Sequence, residues 1–597
     1  MNANSANEQY QLEQNDFFIR KTLGRYLLSS VLAMVSVYIG SLIDTILVGL
    51  YLGEDGLAAM SLVGPVYLVF YTVGATIGIG GSISASRALG REQLDGYRRI
   101  FSLSTALMAL ASVVMLACGY AFVRPIMKLL CGNARGISVE MAETYYRFYV
   151  PGGAMTMMAY IPLYFLRVEG KPKDSSRLFT MSAVVNILLS WLLISPVCNM
   201  GIAGVSLATS VSMGCVAVLG FIRLFSGRTE LRFVKGGFEK AQIKEIIIAG
   251  LPNGISNLLE SARILLVNML LIYSGSALML TCYTVIRNIN EILNAVVIGI
   301  TSAIIPLAGV FYGERDYTDA RLTVRRTMRL GLIITAGLTV LVCIFTEPLF
   351  RLFGVDDPVL ISEGLWAVPL ACAGLVAAHA NTLYSGYLTA INREGLSSLI
   401  VALRLIILLA VFAVSLSFAI GSKGVWLSFS LAEFASLGVY FLIRNSLMKK
   451  QPSLDRYLLD TDDEQLSGIS FSVKNNVEEI VDASRKISIF CEDNDVDPRR
   501  AMKAGLAIEE ILTFLLNHCL GEDKENYVAV LVCLQEGGVL IRFRYVGKPY
   551  NPLDFYKNNE DNELYSEELL GIKMMTKSAS NITYQQILGT NNLTLVF

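Results

Sequence analysis

The chain has 597 residues, of which 54% are hydrophobic and 17% charged, too oily a balance for a soluble protein of this length. Its 49 basic and 50 acidic residues nearly cancel, which removes any electrostatic ground for binding nucleic acid. Ten cysteines are scattered with no CxxC pair and no metal-ligand spacing, so they read as small buried hydrophobes and not as a framework.

Residues 1–17 read as a polar N-terminal tail. Arg20, Lys21 and Arg25 then precede a long apolar run with no small-residue cleavage site behind it, the pattern of a retained first helix and not of a signal peptide. A spanning helix needs roughly 20 apolar residues, so charge-free stretches serve as a ruler. They fall at 26–43 (extended through Asp44), 56–86, 100–123, 148–166, 178–222, 264–286, 292–313, 330–346, 364–392, 405–422 and 424–443. The run 178–222 is too long for one crossing and breaks near Pro196 to Gly204, which brings the expected spans to twelve.

Arginines and lysines crowd the connections after the second, fourth, sixth, eighth and twelfth spans, for example Arg87, Arg167, Arg223, Arg321 and Arg444. The opposite loops carry Glu54, Asp55, Glu347 and Glu363, so a multi-pass protein of the cell membrane with both termini cytoplasmic is expected. The two halves also echo each other. Gly201, Gly204, Val205 and Leu207 recur as Gly421, Gly424, Val425 and Leu427; Gly90 and Arg98 recur as Gly313 and Arg321; Glu169-Gly170 recurs as Glu394-Gly395. These near-constant offsets predict an all-α polytopic membrane protein with a parallel internal repeat of two six-helix bundles, 18–235 and 236–450, around a central cavity. A polar linker, 451–465, leads to a soluble α/β sandwich over 466–597. Its strands are expected at 469–473, 527–534, 539–546, 582–587 and 593–597, and its helices at 477–491, 498–519 and 567–577.

Four lone carboxylates interrupt the oily region: Asp44, Glu260, Glu291 and Glu433. A carboxylate in hydrocarbon is expensive, and it marks a substrate or ion pathway unless it is neutralised by a neighbour. Glu260 has Arg263 one turn on, Arg287 and Glu291 share a helix face at i,i+4, and Arg404 is a packing partner for Glu433, so internal salt bridges stand beside the functional reading. The bland alternative for Asp44 is a helix-end acid near the outer surface. His379 reads as a satisfied core residue. The aromatic stretches around Tyr67, Phe70 and Tyr71, Phe148 and Tyr149, and Tyr160, Tyr164 and Phe165 either line a site for flat cations or serve as packing belts.

Asp44 followed by Thr45-Ile46-Leu47-Val48-Gly49, the run Gly201-Ile202-Ala203-Gly204-Val205-Ser206-Leu207-Ala208-Thr209, and Gly250-Leu251-Pro252 with Glu260 resemble the multidrug and toxic compound extrusion (MATE) transporters over about 18–450. The resemblance implies that Asp44 couples transport to a cation, assisted by Asn186 and Thr209, with Ser190 where some members carry a second acid. Asp44, Asn186, Ser190 and Thr209 would then bind H⁺ or Na⁺, and no other cofactor is implied. In the C-terminal bundle it implies cation or substrate binding at Glu260, and Arg263, Arg287, Glu291 and Glu433 join it as candidates.

In the soluble part, Ala507-Ile508-Glu509-Glu510, Val546-Gly547-Lys548-Pro549, Leu570-Gly571-Ile572 and Gly589-Thr590-Asn591-Asn592 resemble the Bergerat-type ATPase-like domain of anti-sigma-factor serine kinases. Phe514 and Tyr545 stand where that family has its magnesium-binding Asn and adenine-contacting Asp, so a degenerate nucleotide site (Glu510, Phe514, Tyr545, Gly547, Gly571) is expected. The domain would then sense or dock, with a cytoplasmic protein as its partner. The expected function is a secondary antiporter in the lipid bilayer that exports amphipathic, cationic small molecules, not an enzyme. A flippase for a lipid-linked or peptide-like substrate and a membrane-tethered regulator are the alternatives.

Overall fold

The computed structural model describes residues 3–91, 93–131, 137–226, 230–234, 239–274, 277–353, 355, 357–460, 468–474, 477–515, 527–535, 538–548, 551–559, 572–573, 575–587 and 589–597. The chain divides into two compact units, one of Leu23–Glu314 with Thr323–Ser446, the other of Met1–Thr22, Arg315–Leu322 and Leu447–Phe597.

The larger unit is helical. Its long helices are α1 (Thr22–Gly53), α2 (Asp55–Gly90), α3 (Leu94–Ala121), α4 (Ile137–Val168), α5 (Pro172–Ile194), α6 (Ile202–Leu224), α7 (Lys240–Ser274) and α8 (Ala277–Gly313). The series continues with α9 (Tyr317–Ile344), α10 (Pro358–Ala390), α11 (Glu394–Ile420) and α12 (Ser422–Lys450). Eleven helices are long and apolar enough to cross a membrane among the described residues. The one long helix left out is α4, which has 32 residues but carries Pro151, Pro162, a Gly152-Gly153 pair and several tyrosines that dilute its apolarity.

One expected helix limit needs correction, and two segments expected only as a tail and a linker carry regular structure. The polar N-terminal stretch is helical from Ala3 and runs on into α1, with a break from helical geometry only at Gly53 (φ 65°, ψ −153°). The predicted seventh span, 264–286, straddles the end of α7 at Ser274, because the ruler was set by charges that lie inside helices. Glu260 and Arg263 sit within α7, and Arg287 and Glu291 within α8. Finally, within the expected linker 451–465, residues 451–460 form an ordered turn with Leu454, Leu458 and Leu459 buried and Leu454 bridged to Asp460, while 461–465 lie outside the described residues.

The repeat has a backbone signature. Gly201 and Gly421, matched positions in the two halves, both adopt left-handed conformations (φ 57° and 64°) and precede α6 and α12. A side chain there would be strained, so the glycines are dictated by the turn and not by helix packing. The halves meet along α2 with α7 and α8. A Cβ built on Gly80 would fall 2.0 Å from Ile246 O, one on Gly250 1.8 Å from Thr76 O, and one on Gly90 2.2 Å from Val310 O. Small residues are what let helix backbones approach this closely.

In the smaller unit a five-stranded antiparallel sheet has the order β1-β2-β3-β5-β4, with β1 Gly468–Lys474, β2 Tyr527–Gln535, β3 Gly538–Tyr545, β4 Asn581–Ile587 and β5 Thr590–Val596. The register aligns Phe471, Val530, Phe543, Leu593 and Tyr584 in one row across the sheet. That face is covered by α13 (Val477–Asp493) and α14 (Pro498–Phe514), which supply Ile480, Ile487, Ile508 and Leu512 to the core. A short helix at Pro552–Asn559 was not anticipated.

Candidate functional site

Asp44 lies on α1 and is 8% exposed, so its carboxylate is held inside the N-terminal half and not at a wet helix end. Asn186 of α5 stands beside it. In the amide orientation that matches donors to acceptors, Asn186 Nδ2 donates to Asp44 Oδ1 (3.2 Å) and Oδ2 (3.0 Å), while its Oδ1 accepts from Thr209 Oγ1 of α6 (3.2 Å). Ser190, one turn along α5 and fully buried, reaches towards Asp44 without full hydrogen-bond geometry. The four residues implied by the resemblance thus converge from three helices. No arginine or lysine lies within ion-pair distance of Asp44 among the described residues.

The acids of the C-terminal half are different, because each has a guanidinium partner. Arg263 pairs with Glu260 and stacks over Phe429 (5.6 Å). Arg287 Nε lies 3.8 Å from Glu291 Oε1, and Arg404 Nη2 lies 2.9 Å from Glu433 Oε1. Arg404 sits in a π-helical turn, Leu403–Ile407, that interrupts α11. The last pair is the deepest, and two residues missed in the sequence complete it: Asn381 donates to Glu433 Oε2 (2.9 Å), and Arg404 Nη1 donates to Thr382 Oγ1 (2.5 Å). Removing one member of a buried pair strands the other charge at a cost of about 3–5 kcal/mol. Glu433→Ala is therefore expected to lower the thermal stability of the detergent-solubilised protein far more than Glu143→Ala, whose ion pair with Arg147 is exposed and worth about 0–1 kcal/mol.

The N-terminal half carries a chain of tyrosines from α2 and α4. Ring centroids are 4.6 Å apart for Tyr67 and Tyr71, 5.7 Å for Tyr67 and Tyr149, 5.8 Å for Tyr71 and Tyr160, and 5.5 Å for Tyr160 and Tyr164. Tyr38 of α1, which sequence reasoning missed, is within electrostatic reach both of Tyr71 and Tyr164 and of Glu260 and Glu291. His379 is core, as expected, but is not satisfied. Its ring packs on Gly331 and makes no full hydrogen bond, only an approach to the Thr327 backbone.

At the arginine-rich end, the repeat-related acids have diverged. Glu169 serves its own half, accepting from Tyr97 Oη (2.6 Å) and Glu230 N (3.2 Å). Burial still pushes its carboxyl above the ordinary range, against the lowering by those two donors. Glu394 instead crosses between halves to Arg87 (2.8 Å), which is buried and whose Nε also donates to Ala390 O (3.0 Å). In the sequence Arg87 looks like one more loop charge; its partner in the other half reveals its role.

The candidate nucleotide residues do not assemble a phosphate site among the described residues. Phe514 and Tyr545 are buried in the core of the smaller unit, Phe514 against Phe555 (5.0 Å). Glu510 is exposed, and Gly547 O accepts from Asn591 Nδ2 (3.2 Å). Gly571 and most of the predicted helix at 567–577 lie outside the described residues.

A family model described as MatE matches residues 29–192 and 252–420, more than half of the chain. The chain is 24% identical over 440 residues to a FAD transporter of Shewanella oneidensis, covering 70% of this chain and 94% of that protein. It is 22% identical over 427 residues to the multidrug export protein MepA of Staphylococcus saprophyticus, covering 69% and 93%. A solved multidrug-resistance MATE family transporter in an outward-facing conformation superposes with a TM-score of 0.68 at 22% identity, covering 72% of this chain and 97% of that one, a likeness that speaks for the fold. The Asp44 nest, the repeated half and the matched residues agree, and the chain belongs to the MatE family of membrane transporters, which are not enzymes.

Proposed function

We propose that the protein is an ion-coupled antiporter that exports amphipathic aromatic compounds by alternating access of two six-helix bundles, with both termini cytoplasmic and the C-terminal domain regulatory. The observation that carries this reading is the contrast between acids. Glu260, Glu291 and Glu433 each have an arginine, whereas Asp44 has Asn186, Ser190 and Thr209 around it and no basic partner among the described residues. A buried carboxylate without a counter-charge calls for a proton or a cation, so Asp44 is the residue whose occupancy can bias the two states.

A second reading concerns the substrate. A chain of tyrosines, with Tyr38 within electrostatic reach of the charge-balanced pairs, suits a planar molecule with anionic groups as well as a flat cation, and one relative is a FAD transporter. The test is uptake into proteoliposomes under imposed proton or sodium gradients, with ethidium and FAD compared side by side. Gradient-driven uptake of ethidium alone supports the cationic reading, and uptake of FAD supports the second. If neither moves while a control transporter works, the antiporter reading fails.

A further inference from the structure

The sheet of the smaller unit has two faces of opposite character. One is the apolar core under α13 and α14. The other displays Ser472, Arg542, Arg544, Asn592 and Thr594, none more than 5% exposed. Polar groups buried to that degree must have partners, since stranding them is costly. Some of these partners lie within the sheet, where Arg542 Nε donates to Thr594 Oγ1 and Arg544 Nε to Asn592 Oδ1 (both 3.3 Å), and Arg544 also reaches the segment Arg315–Leu322 of the same unit, which includes the first turn of α9.

The contact is built on charge. Arg544 Nη1 lies 3.1 Å from Asp319 Oδ2 and 3.7 Å from Asp316 Oδ2, with all three side chains almost fully buried. The two aspartates form the helix entry itself, because Asp319 N donates to Asp316 Oδ1 (3.1 Å) and satisfies an otherwise orphan amide. Cys533, from the neighbouring strand, is within electrostatic reach of Arg542, Asp316 and Arg315. A second tie comes from the ordered turn after α12: Arg321 Nε lies 2.7 Å from Asp455 Oδ2, while Asp455 Oδ1 accepts from Tyr457 N (2.8 Å) and Leu459 N (2.9 Å). The matched family model ends at residue 420, so the sheet lies outside it.

We propose that the polar back of the C-terminal sheet is a docking face for the α9 entry segment, and that by gripping Asp316 and Asp319 through Arg544 the domain acts as a brake on transport. This rests on the transport reading above. The first turn of α9 is tied to the domain while the rest of the same helix continues as a span, and the domain itself follows the end of α12, so a shift of the α9 entry relative to the end of α12 has to break the Arg544 contacts. A cycle that includes such a shift is slowed by the contact.

The test uses the full chain carrying Arg544→Gln, Asp319→Asn or both. Hydrogen exchange of 315–322 is followed in nanodiscs, and substrate flux in proteoliposomes. Thermal melting identifies any variant that fails to fold, and Asp319→Asn, outside the sheet, removes the same pair if Arg544→Gln proves unstable. Exchange of the segment is expected to quicken by ~10-fold or more in either single variant, with no further gain in the double. Flux is expected to rise by ~3-fold or more. Unchanged exchange would remove the docking contact. Quickened exchange with flux unchanged or reduced would overturn the brake. Failure of the transport reading itself shows differently, as no flux in the wild type although exchange still quickens in the variants.

Discussion

Asp44→Asn is expected to abolish ion-driven accumulation while leaving the protein folded and inserted. Asparagine keeps the shape of the side chain but carries neither a charge nor a titratable proton. The Asn186–Thr209 hydrogen bond survives the change, and the desolvation cost of a buried carboxylate disappears, so stability is expected to be equal or higher. The gradient can drive transport only through a group whose occupancy differs between the two states. A proton gradient of about 2 pH units is worth about 2.7 kcal/mol per proton, enough for an accumulation ratio of up to ~100. In the variant that ratio should fall to about 1, with downhill equilibration retained. Substrate accumulation measured at imposed gradients of increasing size decides the matter, and a variant that still responds to the gradient would remove Asp44 from the coupling role.

What the sequence disclosed and what it withheld follow from how local the information is. Asp44, Asn186 and Thr209 lie on three helices, yet the family pattern brought them together, and they meet in the structure. The strands β1, β2 and β3 were legible because their apolar alternation is period two and written in consecutive residues. Helix limits near Glu260 and Arg287 were not, since a charge inside a span looks the same in a sequence as a charge that ends one. The partners of buried charges were hidden more deeply. Arg87 and Glu394 are far apart in sequence, as are Arg544 and Asp319, and neither pair leaves a spacing signal. Glu394 matches Glu169 in the repeat, which predicts equivalence, whereas the structure shows the two acids doing different things.

Gly250→Ala is expected to be more damaging than its size suggests. The new methyl group would sit 1.8 Å from Thr76 O and 2.6 Å from Thr76 C, both backbone atoms that cannot swing aside. Gly80→Ala meets the same crossing from the other helix, 2.0 Å from Ile246 O, and Gly90→Ala meets α8 at 2.2 Å from Val310 O. Relief requires α2 and α7 to separate by about 1 Å or more, at the upper end of the 1–3 kcal/mol typical of overpacking. Each half keeps its own core, so the cost falls on the state in which the arginine-rich ends of the two halves touch and Arg87 reaches Glu394. About 3 kcal/mol against one of two states shifts their ratio by more than ~100-fold, and a transporter that must visit both in every cycle slows accordingly. Gly438, with open space around its Cβ position, is the control and its alanine variant should transport normally. Flux is expected to rank Gly438→Ala above Gly90→Ala above Gly250→Ala, and labelling of cysteines introduced at the arginine-rich end should rise in the reverse order. Normal flux in Gly250→Ala would mean that close contact between α2 and α7 is not a required step, and the closure seen here would lose its place in the cycle.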